Sequence, residues 1–243
     1  MKHVIFSILV FFLVGNHSAA LSQTIEGNID DIARALMTYF PKASGKVTSV
    51  IDQKLEIEIA PFQGLAEGVL LNVFREGEAF RHPVTGIPLG RFEGEVGIIE
   101  VTHAEAEHLT AAHIGATKKI EVGDLIRLPS TRIAVAITTR SAAYPVFLIN
   151  ELTAALNDTG RFQVDVLPAE SEIKEALQRK NRYYLLLTTG QNGERLSMNL
   201  QLQNTVTGKE LANLTILIRK SEESDLILEH LQYQLFEQRQ KKQ

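Results

Sequence analysis

Cysteine is absent from the 243 residues. That removes disulfides, thiolate metal sites and cysteine nucleophiles from consideration. It also excludes a lipoprotein, because the lipidated residue would be a cysteine just after the cleavage site. Beyond the N-terminus no stretch reaches 18 consecutive apolar residues, so no later segment is expected to span a membrane as a helix. There is no excess of positive charge either. The balance is 25 basic against 29 acidic residues, which argues against nonspecific binding to nucleic acid or anionic lipid. Internal repeats and low-complexity linkers are missing as well. What remains is 44% hydrophobic and 22% charged, the composition of a chain that folds.

The first residues carry the clearest positive signal. Lys2 and His3 precede VIFSILVFFLV at 4–14, and Ser18-Ala19-Ala20 and Ala20-Leu21-Ser22 offer small residues beyond it. A basic start, a short apolar core and a small-residue site form a secretory signal, expected to be cleaved after Ala20 or Ser22. The core is too short for a spanning helix. Cleavage takes away one lysine and no acid, so 25 basic residues become 24 against 29 acidic ones, a net charge of −5. The expected compartment is the periplasm, which holds no ready supply of ATP, GTP or NAD(P)H.

The remaining chain divides by periodicity. Ile25, Ile29, Ile32, Ala33, Leu36 and Phe40 fall on one face of a helix over 24–40, ended by Pro41 and Gly45. From Val47 to Leu128 short alternating segments are separated by turn residues every 8–12 positions, which predicts a small antiparallel barrel. KVTSVIDQKLEIEIA reads as a hairpin about Asp52-Gln53, and GVLLNVFREGEAFRH as a strand pair broken at Glu76-Gly77. Pro129-Ser130 reads as a joint. After it come strand 132–139, helix 145–159, strand 161–167, helix 169–180, strands 182–190, 195–204 and 211–220, and helix 221–240. That is a βαβαβββα mixed sheet. The fold class is therefore α+β with two domains. The expected divisions are 1–22 signal, 23–129 helix plus barrel-like domain, and 131–243 α/β domain.

Residues 24–129 resemble the C-terminal domain of the flagellar assembly protein T family. The resemblance rests on FPKASGKV, FREGEAFRHPVTGIPLG, EVGIIEVT and IEVGDLIR. The family's turn and strand motif maps onto Pro83, Thr85, Gly86, Leu89, Gly90, Gly97, Val101, Gly123 and Asp124. Residues 131–220 resemble the N-terminal domain of the Tol-Pal system protein B, curli secretion protein G and the middle domain of the flagellar protein. RIAVAI, Leu156 to Gly160, RFQVDVL, RYYLLLTTG and the turn at Thr207-Gly208 carry that likeness. In the flagellar protein the two domains run in the opposite order, after another domain. The resemblance implies noncatalytic docking modules and partners among envelope or flagellar basal-body proteins.

No constellation points to catalysis, a cofactor or a metal. His103, His108 and His113 recur every five residues, a spacing that turns a helix by about 140° net per step and keeps the rings off one face. They read as a polar connection between strands. Asp52, Glu56, Glu58, Glu93, Glu95 and Glu100 lack the apolar setting of a glycosidase acid. Ser197 lies mid-strand without a nucleophile elbow. Gly190 to Gly193 is a hairpin turn with no helix behind it to hold a phosphate. Of Tyr183 and Tyr184, neighbours on a strand, one is expected to face the core. The turn from Pro83 to Gly90 is expected to shape the barrel. The last helix is expected to pack Leu226, Ile227, Leu231, Leu235 and Phe236 on the sheet. Candidate partner contacts are Phe74, Phe80, Arg81, Tyr144 and Tyr233. The foremost reading is a noncatalytic periplasmic protein of flagellar assembly. The alternatives are an accessory of a non-flagellar outer-membrane, secretion or cell-wall system, and a periplasmic hydrolase or metal-binding protein; self-association is left open.

Overall fold

The computed structural model describes residues 21–59, 65–105, 108–116, 118–128, 132–140, 146–219 and 222–240. Residues 1–20 of the expected signal segment, Tyr144 and the joint at Pro129-Ser130 lie outside them. The fold is α+β, with two sheets.

The first sheet is antiparallel and closes on itself. β2 (Ser44–Ile51) and β3 (Lys54–Ile59) form the expected hairpin, with Asp52 at a positive φ of 55° in the turn. They join β4 (Leu70–Arg81), β5 (Pro88–Ala104), β6 (His108–Ala116) and β7 (Leu125–Arg127) in the closed order β2-β3-β6-β5-β4-β7. Alternation places Val47, Leu55, Ile57, Leu71, Val73, Ile99 and Leu109 in the core. β7 closes the ring by pairing with β2 and β4, and the turn before it is held by backbone and side-chain bonds. Gly123 sits at φ 95°, its N–H donates to the Val47 carbonyl, and the Val47 N–H donates to the Asp124 carbonyl. The Asp124 carboxylate accepts from Arg75 at 2.7 and 2.8 Å and from the Glu121 N–H at 2.8 Å.

The expected break at Glu76-Gly77 does not occur. β4 runs unbroken through it, paired with β5 across three register shifts. Bulges bend and twist a ribbon without ending it.

The second sheet has the order β1-β12-β11-β10-β8-β9. It comprises β8 (Ile133–Thr139), α2 (Val146–Asp158), β9 (Phe162–Val166), α3 (Ile173–Gln178), β10 (Tyr183–Asn192), β11 (Arg195–Asn204), β12 (Glu210–Ile218) and α4 (Glu222–Gln240), the βαβαβββα order read from the sequence. One addition comes from the N-terminus. Residues expected to begin a helix form β1 (Leu21–Gly27), which lies parallel to β12. The helix, α1 (Ile29–Thr38), starts only after Asn28, where a capping box pairs Asn28 with the backbone and side chain of Asp31. The Asn28 N–H bond, with Arg34 beside it, holds the Asp31 carboxyl below the usual range. α1 packs beside α2. The N-terminal segment, expected to accompany the barrel, thus completes the other sheet.

The two sheets share one core, which runs from Ile57 and Leu71 in the barrel through Phe40 and Tyr183 to Leu200 and Leu214. Phe40 stands edge-on to Tyr183 and Phe162, with centroids 4.8 and 5.6 Å apart.

Candidate interaction surface

The polar groups between the two sheets are the first place to look for chemistry. The Leu70 N–H donates to the Tyr183 hydroxyl at 2.9 Å, and Arg182 donates to the Asn72 side chain at 2.6 Å. Asn204 donates to the Gly68 carbonyl at 3.1 Å, and Thr207 donates to Glu100 at 3.0 Å. Lys209 bridges to Glu67 at 3.1 Å. Tyr183 is 2% exposed, and burial pushes its hydroxyl well above the ordinary tyrosine range. These groups answer one another across the joint, so their arrangement fastens two units together. Gly68 belongs to the same joint. It sits at φ 88°, and an added Cβ would come 3.2 Å from the Leu211 side chain.

Glu100, expected to lack an apolar setting, is buried, with Thr207 as its partner. Both tyrosines of the neighbouring pair are buried, on opposite faces. Tyr183 enters the shared core, and Tyr184 lies under α3 with its hydroxyl donating to the Ser171 carbonyl at 2.6 Å. The sequence shows only that they alternate. α3 covers the second face.

The histidines lie within strands, not in a connection. His103 is in β5, while His108 and His113 are in β6. His103 meets Glu67 at 3.2 Å and Glu105 at 3.4 Å. His113 is opposite Ile99, and its Nε2 is buried without a partner in the structure. A groove of about 490 Å³ runs beside α1, α2 and the start of α4, past Phe147, Glu151 and Asp158.

The exposed surface is more distinctive. Only the inner half of the β4–β5 pair belongs to the barrel. From Arg75 to Arg81 and back from Pro88 to Glu95 it projects as a two-stranded arm, about 20 Å long at the usual rise per residue. Its turn stands at the far end, so Pro83, Thr85, Gly86, Leu89 and Gly90 shape the arm's tip, with Gly86 at φ 68°. Gly97 lies at the arm's root, buried opposite Val73. Phe80 and Phe92 lie together on one face, centroids 4.9 Å apart, with Phe80 over Gly90. On the other face Arg91 approaches Glu76 at 3.9 Å and Arg127 bridges to Glu93 at 2.6 Å. At the tip Val84 is 87% exposed and Ile87 and Leu89 more than half; midway along the arm Phe92 is 66% exposed.

Of the residues expected to contact partners, Phe80 and Arg81 are on this arm. Phe74 is half-buried at its base beneath the Arg127 guanidinium, 4.7 Å from the ring centre. Tyr233 is exposed on α4. There the orientation differs from expectation. Ser224 and Leu228 face the sheet, while Leu226, Tyr233 and Phe236 share the outer side. The side chains of Ile227, Leu231 and Leu235 lie outside the description. Val84, Ile87 and Phe92 were not singled out from sequence, and Leu89 only as part of the turn motif, although an uncharged run from Pro83 to Gly90 contains Val84, Ile87 and Leu89.

No family model matches the chain, and no curated protein does. Among solved structures, similarity is found to the LpoB C-terminal domain from Salmonella enterica. It has 14% identity and a TM-score of 0.31, covering 37% of this chain and 85% of that one. The LpoB C-terminal domain from Escherichia coli is similar at 16% identity and a TM-score of 0.31, covering 38% of this chain and 87% of that one. A likeness this slight bears neither on partners nor on activity.

Proposed function

We propose that this chain is a noncatalytic adapter of the bacterial envelope, exported to the periplasm and acting through surface contacts. One observation carries the reading. A bonded joint and a shared core hold the two sheets as one body, and each sheet carries an exposed apolar projection or stripe: the β4–β5 arm on one, the outer side of α4 on the other. Exposed large side chains grouped in this way mark interaction sites, and aromatic anchors are the usual hot spots. Among the described residues no helix is long and apolar enough to cross a membrane.

The partners on this reading are envelope proteins, first those of the flagellar basal body. Components of a non-flagellar outer-membrane, secretion or cell-wall system are the alternative. The test replaces Leu226, Tyr233 and Phe236 together with serine on the chromosome. The expected result is normal abundance and fold with the phenotype of a gene deletion: lost motility for a flagellar role, envelope sensitivity for the other. Full function of that variant, combined with failure of a folded variant carrying alanine at His103, His108 and His113, would favour a catalytic or metal site instead.

A further inference from the structure

The tip of the arm has a chemistry of its own. Between Glu78 and Glu93 there is no carboxylate; the charged side chains in that interval are Arg81 and Arg91, with His82 beside them. The apolar groups Val84, Ile87 and Leu89 are therefore backed by two guanidinium groups, with Glu78, Glu93 and Glu95 set back toward the barrel and Glu76 reaching Arg91 only at 3.9 Å. A chain that is acidic as a whole presents a tip that is apolar at its end and cationic just behind.

The backbone of the tip is also largely self-sufficient. The His82 N–H donates to the Ile87 carbonyl, and the Gly86 N–H donates to the His82 carbonyl, both at 2.9 Å. The N–H groups of Val84 and Thr85 both donate to His82 Nδ1, at 3.3 and 3.2 Å. Pro83 and Pro88 have no N–H. Arg81 donates to the Gly86 carbonyl at 3.1 Å. A turn whose donors are engaged internally loses little when water is removed, whereas an open loop would pay for each stranded group. Such a turn also offers few directional bonds to a partner.

We propose that the tip is a lipid-docking element: Val84, Ile87 and Leu89 enter the interfacial region of an anionic bilayer, and Arg81 and Arg91 meet the phosphate groups of its lipids. The layering decides between a bilayer and a protein cleft. Val84 and Ile87 in the turn are outermost, Arg81 and Arg91 follow along the strands and the carboxylates begin at Glu78 and Glu93 behind them, the order of acyl chain, phosphate and water. A protein interface ordinarily adds about one hydrogen bond per 100–200 Å² of contact, and this turn has spent much of its capacity. Binding through a few side chains is weak and reversible, so it supplements the other contacts of the protein. The inference rests on the adapter reading only for the compartment in which the bilayer is met.

The test uses the chain from Leu21 onward and vesicles of equal parts phosphatidylethanolamine and phosphatidylglycerol. The protein has no tryptophan, so Ile87→Trp places a single reporter at the tip. Its emission should shift to the blue with vesicles and be quenched by brominated acyl chains. Vesicle sedimentation of the unlabelled protein should fall at least about tenfold when Val84, Ile87 and Leu89 are together replaced by serine. Arg81→Gln and Arg91→Gln should each cost about fivefold on these vesicles. Neither should matter on phosphatidylcholine alone. Circular dichroism checks that each variant is folded. An unshifted emission, or equal sedimentation of the folded serine variant, overturns the proposal. So does tip-dependent binding to a purified envelope protein without vesicle binding, which would assign the tip to a protein. None of these outcomes depends on the α4 contacts, so the adapter reading can stand or fall separately.

Discussion

Removing the Tyr183 hydroxyl tests the joint between the two sheets with the loss of a single oxygen. In Tyr183→Phe the ring still fits between Phe40 and the core, so no cavity is created. What changes is the Leu70 N–H, which loses its acceptor while Leu70 itself is 1% exposed. A buried donor left unanswered costs about 1–3 kcal/mol. For a chain of this size each kcal/mol moves Tm by about 2–4 °C, so the variant should melt about 2–12 °C lower. Urea titration should show a lower midpoint with an unchanged slope, since native compactness is untouched. Hydrogen exchange at Leu70 should quicken beyond the global change. Tyr183→Ala should cost more, about 3–5 kcal/mol, because the aromatic contact and the core volume are lost as well. If Tyr183→Phe changed stability by less than about 0.5 kcal/mol, or if barrel and sheet unfolded in two separated transitions, the shared-core description would be refuted.

Other outcomes follow from neighbouring features. Expressed alone, 131–243 should be poorly folded, and adding residues 21–40 in the same cell should rescue it, because β1 pairs with β12 and α1 packs beside α2; proteolysis of the two preparations reads the difference. Asp124→Asn should lower stability by about 1–3 kcal/mol. Burial alone would raise that carboxyl, but bonds from Arg75 and the Glu121 N–H outweigh it and leave it below its usual range. Its contribution is therefore present above the unfolded pKa of about 3.9 and is lost as pH falls through the lower folded value, and the asparagine variant should show a flatter stability profile there. Gly68→Ala should cost about 1–3 kcal/mol from its positive φ and the close Leu211 side chain, measurable by urea titration. Gly86→Val should leave the barrel intact, since open space surrounds that position, and should loosen only the tip.

The order of elements from β8 to α4 was legible because periods of two and 3.6 alternate there and glycines at 160, 193 and 208 mark turns with positive φ. The first strand was hidden by Ile25, which fits both the alternation of β1 and the helical spacing that continues through Ile29 and Ile32. The capping pair Asn28 and Asp31 was the signal that could have separated them. The arm escaped notice for a physical reason. Strands exposed on both faces carry no burial pattern, so Glu76-Gly77 looked like an end. Phe80 and Arg81 were nonetheless picked out, because large side chains beside a turn have little core to enter. The joint could not be read at all. Arg182 with Asn72 and Asn204 with Gly68 are pairs more than a hundred residues apart, and nothing local distinguishes them from other surface amides.

The central claim is that this protein works through contact at its exposed apolar elements. The most direct measurement is photo-crosslinking in the native cell from a photoreactive amino acid placed at Tyr233, with Gln201 on the polar side of the second sheet as the control. The account predicts a discrete protein adduct from Tyr233 and none from Gln201. An equal pattern from the two positions, or no adduct from Tyr233 in a folded and abundant protein, would contradict it.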